Sequence, residues 1–482
     1  MPVKIAILAL YAAMVITVGI IGRRGTRSFA DFFLAGGKVG PWMTAFSYGT
    51  AYFSAVVFIG FAGKVGWGFG LSGIWIGFFN AALGVLGVWA LMGWKIKQMA
   101  TTYNVSTMSE FFEKRYGSPF LKLFASVNVF VFLLPYSAAV FIGLSYLFQA
   151  SFPGLEYWHA VVFMGFFTAF YMVLGGYRSM TIIDTIFGMI MTLGVLLLLG
   201  FTLSRGGGAG HILEGLRAID PGLAAPVGPP GWWPLLSLVV LTSVAPFAMP
   251  QLVQKFYAIR DRNAIRRGTI ASTIFALLIG GVAYFVGATT RVFLNPNVTP
   301  AAFPAGEISR PNVDALMPEL LNLIIPESLT IVILVLILAA SMSTLAALVL
   351  ISSSSLVKDV YAGFINRAAD DLRLTSLMRL ASGFFILLSV IIALIKPSTI
   401  VAILGISWGA IGAAFLGPFV WGLFSRHIGK FEAISASVLA LALTLFLYAG
   451  GMPSPQSATI GMGASLVIPP LFSLLRRPFR RS

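Results

Sequence analysis

Apolar runs of about 20 residues recur along almost the whole chain, and they constrain its fold more than any other feature. The 482 residues are 58% apolar and 10% charged, whereas a soluble domain carries about 25% charged residues. A backbone that crosses a bilayer must satisfy its own hydrogen bonds, so runs of this length predict helices. We therefore predict an all-α polytopic membrane protein, multi-pass in the cytoplasmic membrane, with one membrane domain over residues 1–482.

We predict about thirteen membrane spans from these runs. Their expected ranges are 3–22, 43–63, 70–94, 120–150, 158–175, 181–203, 233–256, 268–291, 319–357, 376–395, 397–424, 431–450 and 455–475.

The positions of lysine and arginine predict the orientation of these spans, because cytoplasmic loops are enriched in both residues. With the N-terminus outside and the C-terminus in the cytoplasm, 25 of the 32 basic residues fall on the cytoplasmic side. Lys255 is counted among them, at the end of the seventh span. The remaining 7 fall outside. The net charge of +16 is thus explained by topology, and no nucleic-acid partner is expected.

The span count contains an internal pattern of two blocks of five, residues 43–203 and 233–424. A block with an odd number of spans, repeated in tandem, lies upside down relative to its copy. Each block begins with an interrupted span: small residues break the first, and Pro246 and Pro250 break the second. Broken helices at corresponding positions indicate a transporter's central site, although kinking for packing alone is the alternative. Residues 3–22 form an extra N-terminal helix, and 431–475 form two C-terminal helices.

Small residues and hydroxyls interrupt the apolar ninth span at Ala340, Ser343 and Thr344. These three positions share one face of a helix. Two hydroxyls and a carbonyl at membrane depth form the kind of oxygen shell that a hard monovalent cation requires. The alternative is that both hydroxyls bond back to carbonyls one turn earlier on the same helix.

Asp184 is the carboxylate that falls clearly inside a predicted span. An intramembrane carboxylate is costly, and it indicates a functional role by default. We expect Asp184 to act in ion release toward the cytoplasm. The alternative is a structural role, in which it pairs with Arg178 or caps nearby amides.

Several classes of function are disfavoured by what the sequence lacks. It has no cysteine, and it carries no zinc-protease, serine-hydrolase or phosphate-loop motif. An enzyme is therefore not expected. The sequence has no repeated motif of the kind that forms the selectivity filter of a channel, so a channel is not favoured. No obligate protein partner is evident.

Seven sequence anchors, found in order between about Phe29 and Phe424, resemble the sodium:solute symporter family. This family contains bacterial proline, pantothenate, sialic acid, monocarboxylate and sugar symporters. The anchors are Phe33-Leu34-Ala35-Gly36-Gly37, Gly40-Pro41, Phe58-Ile59-Gly60, Gly175-Gly176 with Asp184, the segment from Pro250-Gln251 to Arg260, Ser341-Met342-Ser343-Thr344 with Asp359-Val360-Tyr361, and Trp408 with Gly412 to Pro418.

The resemblance implies a LeuT-type 5+5 inverted repeat with sodium held between the second and ninth helices. Its motifs place the sodium ligands on the carbonyls of Thr50, Phe53 and Ala340 and on the hydroxyls of Ser343 and Thr344. Two departures from the family pattern matter. Tyr52 stands where proline-type members carry an Asp. Ala346 and Ala347 stand where other members carry hydroxyls that hold a second sodium ion, so one sodium ion per solute is expected.

The solute pocket is expected between the second, fourth, seventh and eleventh helices, although core packing is an alternative role for most of its candidates. These candidates are Tyr52, Ser54, Val57, Tyr136, Gln251 and Trp408. The resemblance implies a sodium-coupled symporter for a small organic solute. A small carboxylate such as a monocarboxylate, pantothenate or an amino acid is preferred. A sugar or other neutral solute, a proton-coupled transporter that uses Asp184, and a sensor without flux stay open.

Overall fold

The computed structural model describes residues 2–23, 33–152, 154–174 and 177–476, and these residues are almost entirely helical. The Gly175-Gly176 anchor and the side chain of Arg178 lie outside the described part, so the predicted Asp184–Arg178 pair is not among the contacts below. Within the described residues, the one β-bridge joins Val39 to Ile259.

The main helices follow the predicted spans closely. They are α1 Pro2–Arg23, α2a Pro41–Tyr52, α2b Val56–Phe61 continuing as Ala62–Phe69, α3 Ile74–Phe79 continuing through Asn80–Gly93 and Trp94–Tyr103, α4 Pro119–Ser151, α5 Tyr157–Leu174, α6 Tyr177–Arg205, α7a Trp232–Ser243, α7b Pro250–Ala258, α8 Arg262–Ala288, α9 Thr330–Ser354 continuing as Ser355–Ile365, α10 Asp371–Ile395, α11 Ile400–Phe424, α12 Lys430–Ala449 and α13 Ser454–Arg476.

Short helices occupy the connections between the main helices. They are Met108–Tyr116, Ala209–Ile219 and Leu316–Ile324. Across the described ranges, nine helices are long and apolar enough to cross a membrane, or ten if the bent α7a–α7b pair is one span. This number takes Val56–Tyr103 as a single helix and omits the shorter apolar parts of α1 and α5. The count of thirteen and the orientation of the termini therefore stay predictions.

Both predicted interruptions are present. In α2, Phe53 adopts an extended conformation (φ −102°, ψ 117°) that ends α2a, and α2b resumes with wider π-helical turns. In α7, Met249 is extended (φ −76°, ψ 116°), and the two halves are bent by 41°. Pro250 suits the first turn of α7b because its missing N–H would have no partner there.

The beginning of the ninth helix differs from the prediction. A single helix from residue 319 is wrong, because the chain forms Leu316–Ile324, leaves the helix at an extended Ile325, and begins α9 at Thr330. Pro326 explains the break, since a proline disfavours helical geometry in the residue before it.

Helices α9 and α11 form the centre of the molecule. In each of them, 89% of the most apolar 18-residue stretch is buried, whereas the same fraction is 33% for α10. On one side, α8 packs backbone to backbone against α2b and α3. A Cβ atom on Gly66 would lie 2.0 Å from the backbone of Gly287, and one on Gly77 would lie 2.7 Å from that of Gly280. Glycine is required for this approach. The packing places the α2 break directly against α9.

Candidate functional site

The predicted ion site lies where the C-terminal end of α2a meets the middle of α9. Thr344 Oγ1 lies 3.1 Å from the carbonyl oxygen of Thr50, 3.4 Å from that of Ala51 and 3.2 Å from that of Ala340. The Ala51 carbonyl was not among the predicted ligands. Hydroxyl and carbonyl oxygens without full charges suit a hard monovalent cation, so the residues present fit sodium.

The other two predicted ligands border this group of oxygens. Ser343 Oγ donates to Thr50 Oγ1 at 2.8 Å, so it faces α2a. Phe53 is fully buried at the break, where the helix no longer uses its carbonyl in a regular turn. The back-bonding alternative applies to Thr344, which reaches its own helix at Ala340 as well as α2a. A hydrogen bond from Thr344 to either helix is compatible with a bound cation, since each carbonyl oxygen has a second lone pair for the ion.

Ser341 anchors the unwound part of α2 to α9. The backbone N–H of Ala55 donates to Ser341 Oγ at 2.9 Å, and this hydroxyl donates to the Ile337 carbonyl at 2.7 Å. The amides freed by a helix break need partners when they are buried, and Ser341 supplies one. The break is therefore built into the fold.

Three aromatic residues predicted for the solute pocket are brought together beside the ion site. The ring of Trp408 lies 5.9 Å from that of Tyr52 and 5.6 Å from that of Tyr136, both in edge-to-face arrangements. The Tyr52 hydroxyl donates to the carbonyl of Thr242 on α7a at 2.5 Å. Sequence reasoning did not identify Thr242, because only its backbone takes part.

Tyr136 connects the aromatic group to the ion site. Its hydroxyl lies near the hydroxyls of both Ser54 and Thr344. Ser54 also accepts from the N–H of Val56 at 3.2 Å, so the polar groups at the α2 break lie close together. One hydroxyl thus neighbours a pocket residue and a predicted sodium ligand.

Gln251 and Trp408 carry polar atoms that have no hydrogen-bond partner within the described part of the chain. Gln251 is fully buried on the first turn of α7b, and both of its amide atoms lack a partner, as does Trp408 Nε1. Buried polar groups are normally satisfied, so these atoms indicate a place for a polar ligand. Val57 lies on the first turn of α2b and is buried.

Asp184 is fully buried on α6, and its nearest described cation is Lys255 of α7b. Lys255 Nζ lies 3.8 Å from Asp184 Oδ2, and both side chains are fully buried. Lys255 is therefore not an exposed loop lysine, and its place on the cytoplasmic side stays a prediction. Asp184 Oδ2 also accepts from Ser47 Oγ of α2a at 2.5 Å. Asp359, on the continuation of α9, is a second buried carboxylate that the span analysis placed in a loop.

Charged pairs close the fold at the end of the site predicted to face the cytoplasm. Lys358 contacts Glu110 at 2.8 Å, and Thr107 donates to Asp359 at 2.7 Å. These contacts fasten the short helix Met108–Tyr116 to the continuation of α9. A hydrogen bond from Lys358 to Ser106 strengthens the same contact.

The opposite end of the site is covered by the segment that precedes α9. Both carboxylate oxygens of Asp314 lie 3.4 Å from the backbone N–H of Ile400, at the first residue of α11. Lys64 of α2b lies 3.5 Å from the hydroxyl of Thr399. The segment before α9 and α2b are therefore both fastened to the start of α11 at this end.

Comparison with known proteins identifies the family. A profile described as "Sodium:solute symporter family" matches residues 32–439. The chain belongs to the sodium:solute symporter family. As a family member it is a transporter and not an enzyme, a sodium-coupled secondary symporter for a small organic solute, and an integral multi-pass protein of the cytoplasmic membrane.

Two curated relatives span nearly the full length of the symporter. The high-affinity proline transporter PutP of Bacillus subtilis is 27% identical over 466 residues, which cover 93% of each chain. The sodium/pantothenate symporter of Escherichia coli is 27% identical over 487 residues, which cover 96% of this chain and 95% of the relative.

Solved structures show the same fold. A Na+-coupled sialic acid symporter in a substrate-bound outward-open state matches with a TM-score of 0.82 at 19% identity, and the match covers 98% of this chain and 97% of that one. MhsT in complex with L-phenylalanine matches with a TM-score of 0.56 at 15% identity over 90% of this chain and 99% of MhsT. The expected LeuT-type fold is confirmed.

Proposed function

We propose that this symporter moves one sodium ion together with one small organic solute that carries a carboxylate, of the size of proline or pantothenate. The sodium ion binds between α2a and α9, and the solute binds beside Tyr52, Tyr136 and Trp408. The names of the two full-length relatives, a proline transporter and a sodium/pantothenate symporter, support this class of solute.

The observation that carries the ion assignment is the position of Thr344. Its hydroxyl lies within 3.4 Å of three carbonyl oxygens that belong to two helices, two of them on the last turn of α2a. A cation at this position would bind α2a to α9, since each helix supplies ligands. The affinity of the ion then depends on how the two helices are arranged, as a coupled transporter requires.

The preference for a carboxylate follows from buried polar atoms of two predicted pocket residues. Trp408 Nε1 and Gln251 Nε2 are buried donors without a partner among the described residues, and a carboxylate accepts hydrogen bonds from such donors. Neither residue is charged. The N-terminal end of α7b adds the positive end of a helix dipole, and the sodium ion supplies the compensating charge.

Tyr136 explains how ion and solute can assist each other. Its hydroxyl lies near those of Thr344 and Ser54, and its ring contacts Trp408. An ion that orders Thr344 also orders Tyr136, and so shapes the wall of the solute pocket. By reciprocity, a solute that orders Tyr136 raises the affinity for the ion by the same factor.

The decisive experiment is an uptake screen in proteoliposomes with an inward sodium gradient. Radiolabelled proline, pantothenate, lactate and glucose represent an amino acid, a larger carboxylate, a monocarboxylate and a neutral solute. We expect uptake of one carboxylate that disappears when potassium replaces sodium. Uptake of glucose alone would contradict the carboxylate assignment, and uptake driven equally by a proton gradient without sodium would contradict the ion assignment.

A further inference from the structure

The buried pair of Lys255 and Asp184 is not explained by the ion site or the solute pocket. Their charged atoms are 3.8 Å apart, both side chains are fully buried, and they belong to α7b and α6. An isolated charge at this depth is costly, so each side chain serves as the counter-charge of the other. The ring of Tyr177 lies 5.2 Å from Lys255 Nζ and covers the ammonium on another side.

Asp184 reaches the proposed sodium site through hydroxyl groups. Its Oδ2 atom accepts from Ser47 of α2a at 2.5 Å, and its side chain also interacts with Ser343. Ser343 in turn donates to Thr50 at the sodium site. The pair therefore lies next to the ion site and joins α6, α7b, α2a and α9.

Beyond the hydroxyls of Ser47 and Ser343, Asp184 has few oxygen atoms to share with a metal cation. Its Oδ1 atom has no hydrogen-bond partner in the described ranges. Ala346 and Ala347, one helical turn beyond Ser343, carry no side-chain oxygen. A sodium ion exchanges its water shell for several oxygens at once, whereas the ammonium of Lys255 neutralises Asp184 from 3.8 Å without sharing such a shell.

We propose that Lys255 is a tethered cation that neutralises Asp184 and takes the place of a second transported sodium ion. This proposal rests on the proposed transport of one sodium ion per solute, and it explains why a second ion is not transported. The lysine stays in the protein throughout the cycle, so it holds α7b against α6 without adding an ion to the transported charge. The number of sodium ions per solute is then set by Lys255 as well as by the missing hydroxyls.

The test uses binding of radioactive sodium to the purified full-length protein, without solute. Wild type and Lys255→Arg, which keeps the charge, are expected to bind sodium with a Hill coefficient near one. Lys255→Met leaves Asp184 without its counter-charge, so Asp184 must recruit a second cation from solution. We expect a Hill coefficient above about 1.5 for this variant.

The double variant Lys255→Met/Asp184→Asn removes both charges and covers the case in which the single variant does not fold. It is expected to return to a Hill coefficient near one. If Lys255→Met binds sodium as the wild type does, or if the double variant folds but loses sodium binding, the proposal is overturned. Absence of saturable sodium binding in wild type would instead contradict the proposed function itself.

Discussion

Thr344 Oγ1 lies 3.1 Å from the carbonyl oxygen of Thr50, across the contact between α9 and the last turn of α2a. The two residues are far apart in the sequence, and each belongs to a different half of the inverted repeat. Their contact puts one hydroxyl at the position where a helix break exposes carbonyls. The first prediction tests this contact directly.

Removal of the Thr344 hydroxyl should weaken sodium dependence. We expect Thr344→Ala to raise the sodium concentration for half-maximal uptake by about tenfold, equivalent to about 1.4 kcal/mol, and Ser343→Ala to act in the same direction. Ser353→Ala is the matched control, because Ser353 is a buried serine of the same helix that bonds to its own Val349 carbonyl. Equal sodium dependence in Thr344→Ala and Ser353→Ala would exclude this site.

Removal of the Tyr136 hydroxyl should separate ion binding from solute binding. In Tyr136→Phe the ring contact with Trp408 is kept, while the hydroxyl that lies near Ser54 and Thr344 is removed. We expect both ligands to bind, with a smaller increase of solute affinity on adding sodium. Solute titrations with and without sodium measure this increase; Phe141→Leu, a buried change on the same helix, controls for packing. An increase as large as in wild type would contradict the proposed link.

The ratio of fluxes should be one sodium ion per solute molecule. For a neutral or zwitterionic solute each cycle moves one net positive charge, so uptake should rise when the membrane potential is inside-negative. For a monoanion the same cycle is electroneutral and should not respond to the potential. Simultaneous counting of both fluxes at several clamped potentials gives the ratio. A reproducible value of two would mean that the second ion site exists despite Ala346, Ala347 and Lys255.

The orientation can be tested with single cysteines, since the chain has none of its own. Gly210 is exposed, has no atom within 4 Å of an added Cβ, and lies on the predicted outer side. Ala368 is exposed on the predicted cytoplasmic side. An impermeant thiol reagent added to intact cells should label Gly210→Cys and spare Ala368→Cys. The reverse pattern would overturn the predicted topology.

Asp314 should make stability depend on pH, because burial raises its pKa from the ordinary value to about 6. Between about pH 4 and pH 6 the folded protein keeps a proton that the unfolded chain releases, so this stabilisation is present at low pH and is lost as the pH rises. Asp314→Asn should therefore be more stable than wild type at pH 7.5 by on the order of 3 kcal/mol, and closer to it at pH 4.5.

Thermal unfolding in detergent at the two pH values measures this difference. Glu307→Gln, which removes an exposed carboxylate from the same loop, is the matched control for the loss of a loop charge. If Asp314→Asn follows the wild-type pH dependence, the carboxylate does not titrate as its burial implies.

The broken helices could be predicted from the sequence because their signals are local. Pro246 and Pro250 lie close together, and each lacks the backbone N–H that a regular helix uses. The hydroxyls at 343 and 344 share a face because of helical geometry alone. Pro326 is a local signal of the same kind. It marks the break before α9 begins at Thr330. The apolar pattern continues across this break, and for that reason a single helix was predicted.

The burial of Lys255 could not be predicted in this way. A lysine at the end of an apolar run normally extends its charge into water, so its position indicated a loop. Its partner Asp184 lies on a different helix, and only the three-dimensional packing of α6 against α7b brings the two together. The carbonyls of Thr242 and Ala51 were missed for a related reason, since the side chain of a residue does not reveal what its backbone contacts.

The glycine contacts of α8 decide which half of α2 can act as the moving part. Gly66 and Gly77 place the backbones of α2b and α3 against α8 with no side chain between them, so these elements form one stiff body. α2a meets α8 through aromatic rings instead, with Phe275 against Phe46 and Phe53, and rings can slide where backbones cannot. When sodium leaves, the hinge at residues 53–54 should therefore let α2a swing while α2b stays still. Paired spin labels on the two halves would report such a one-sided motion.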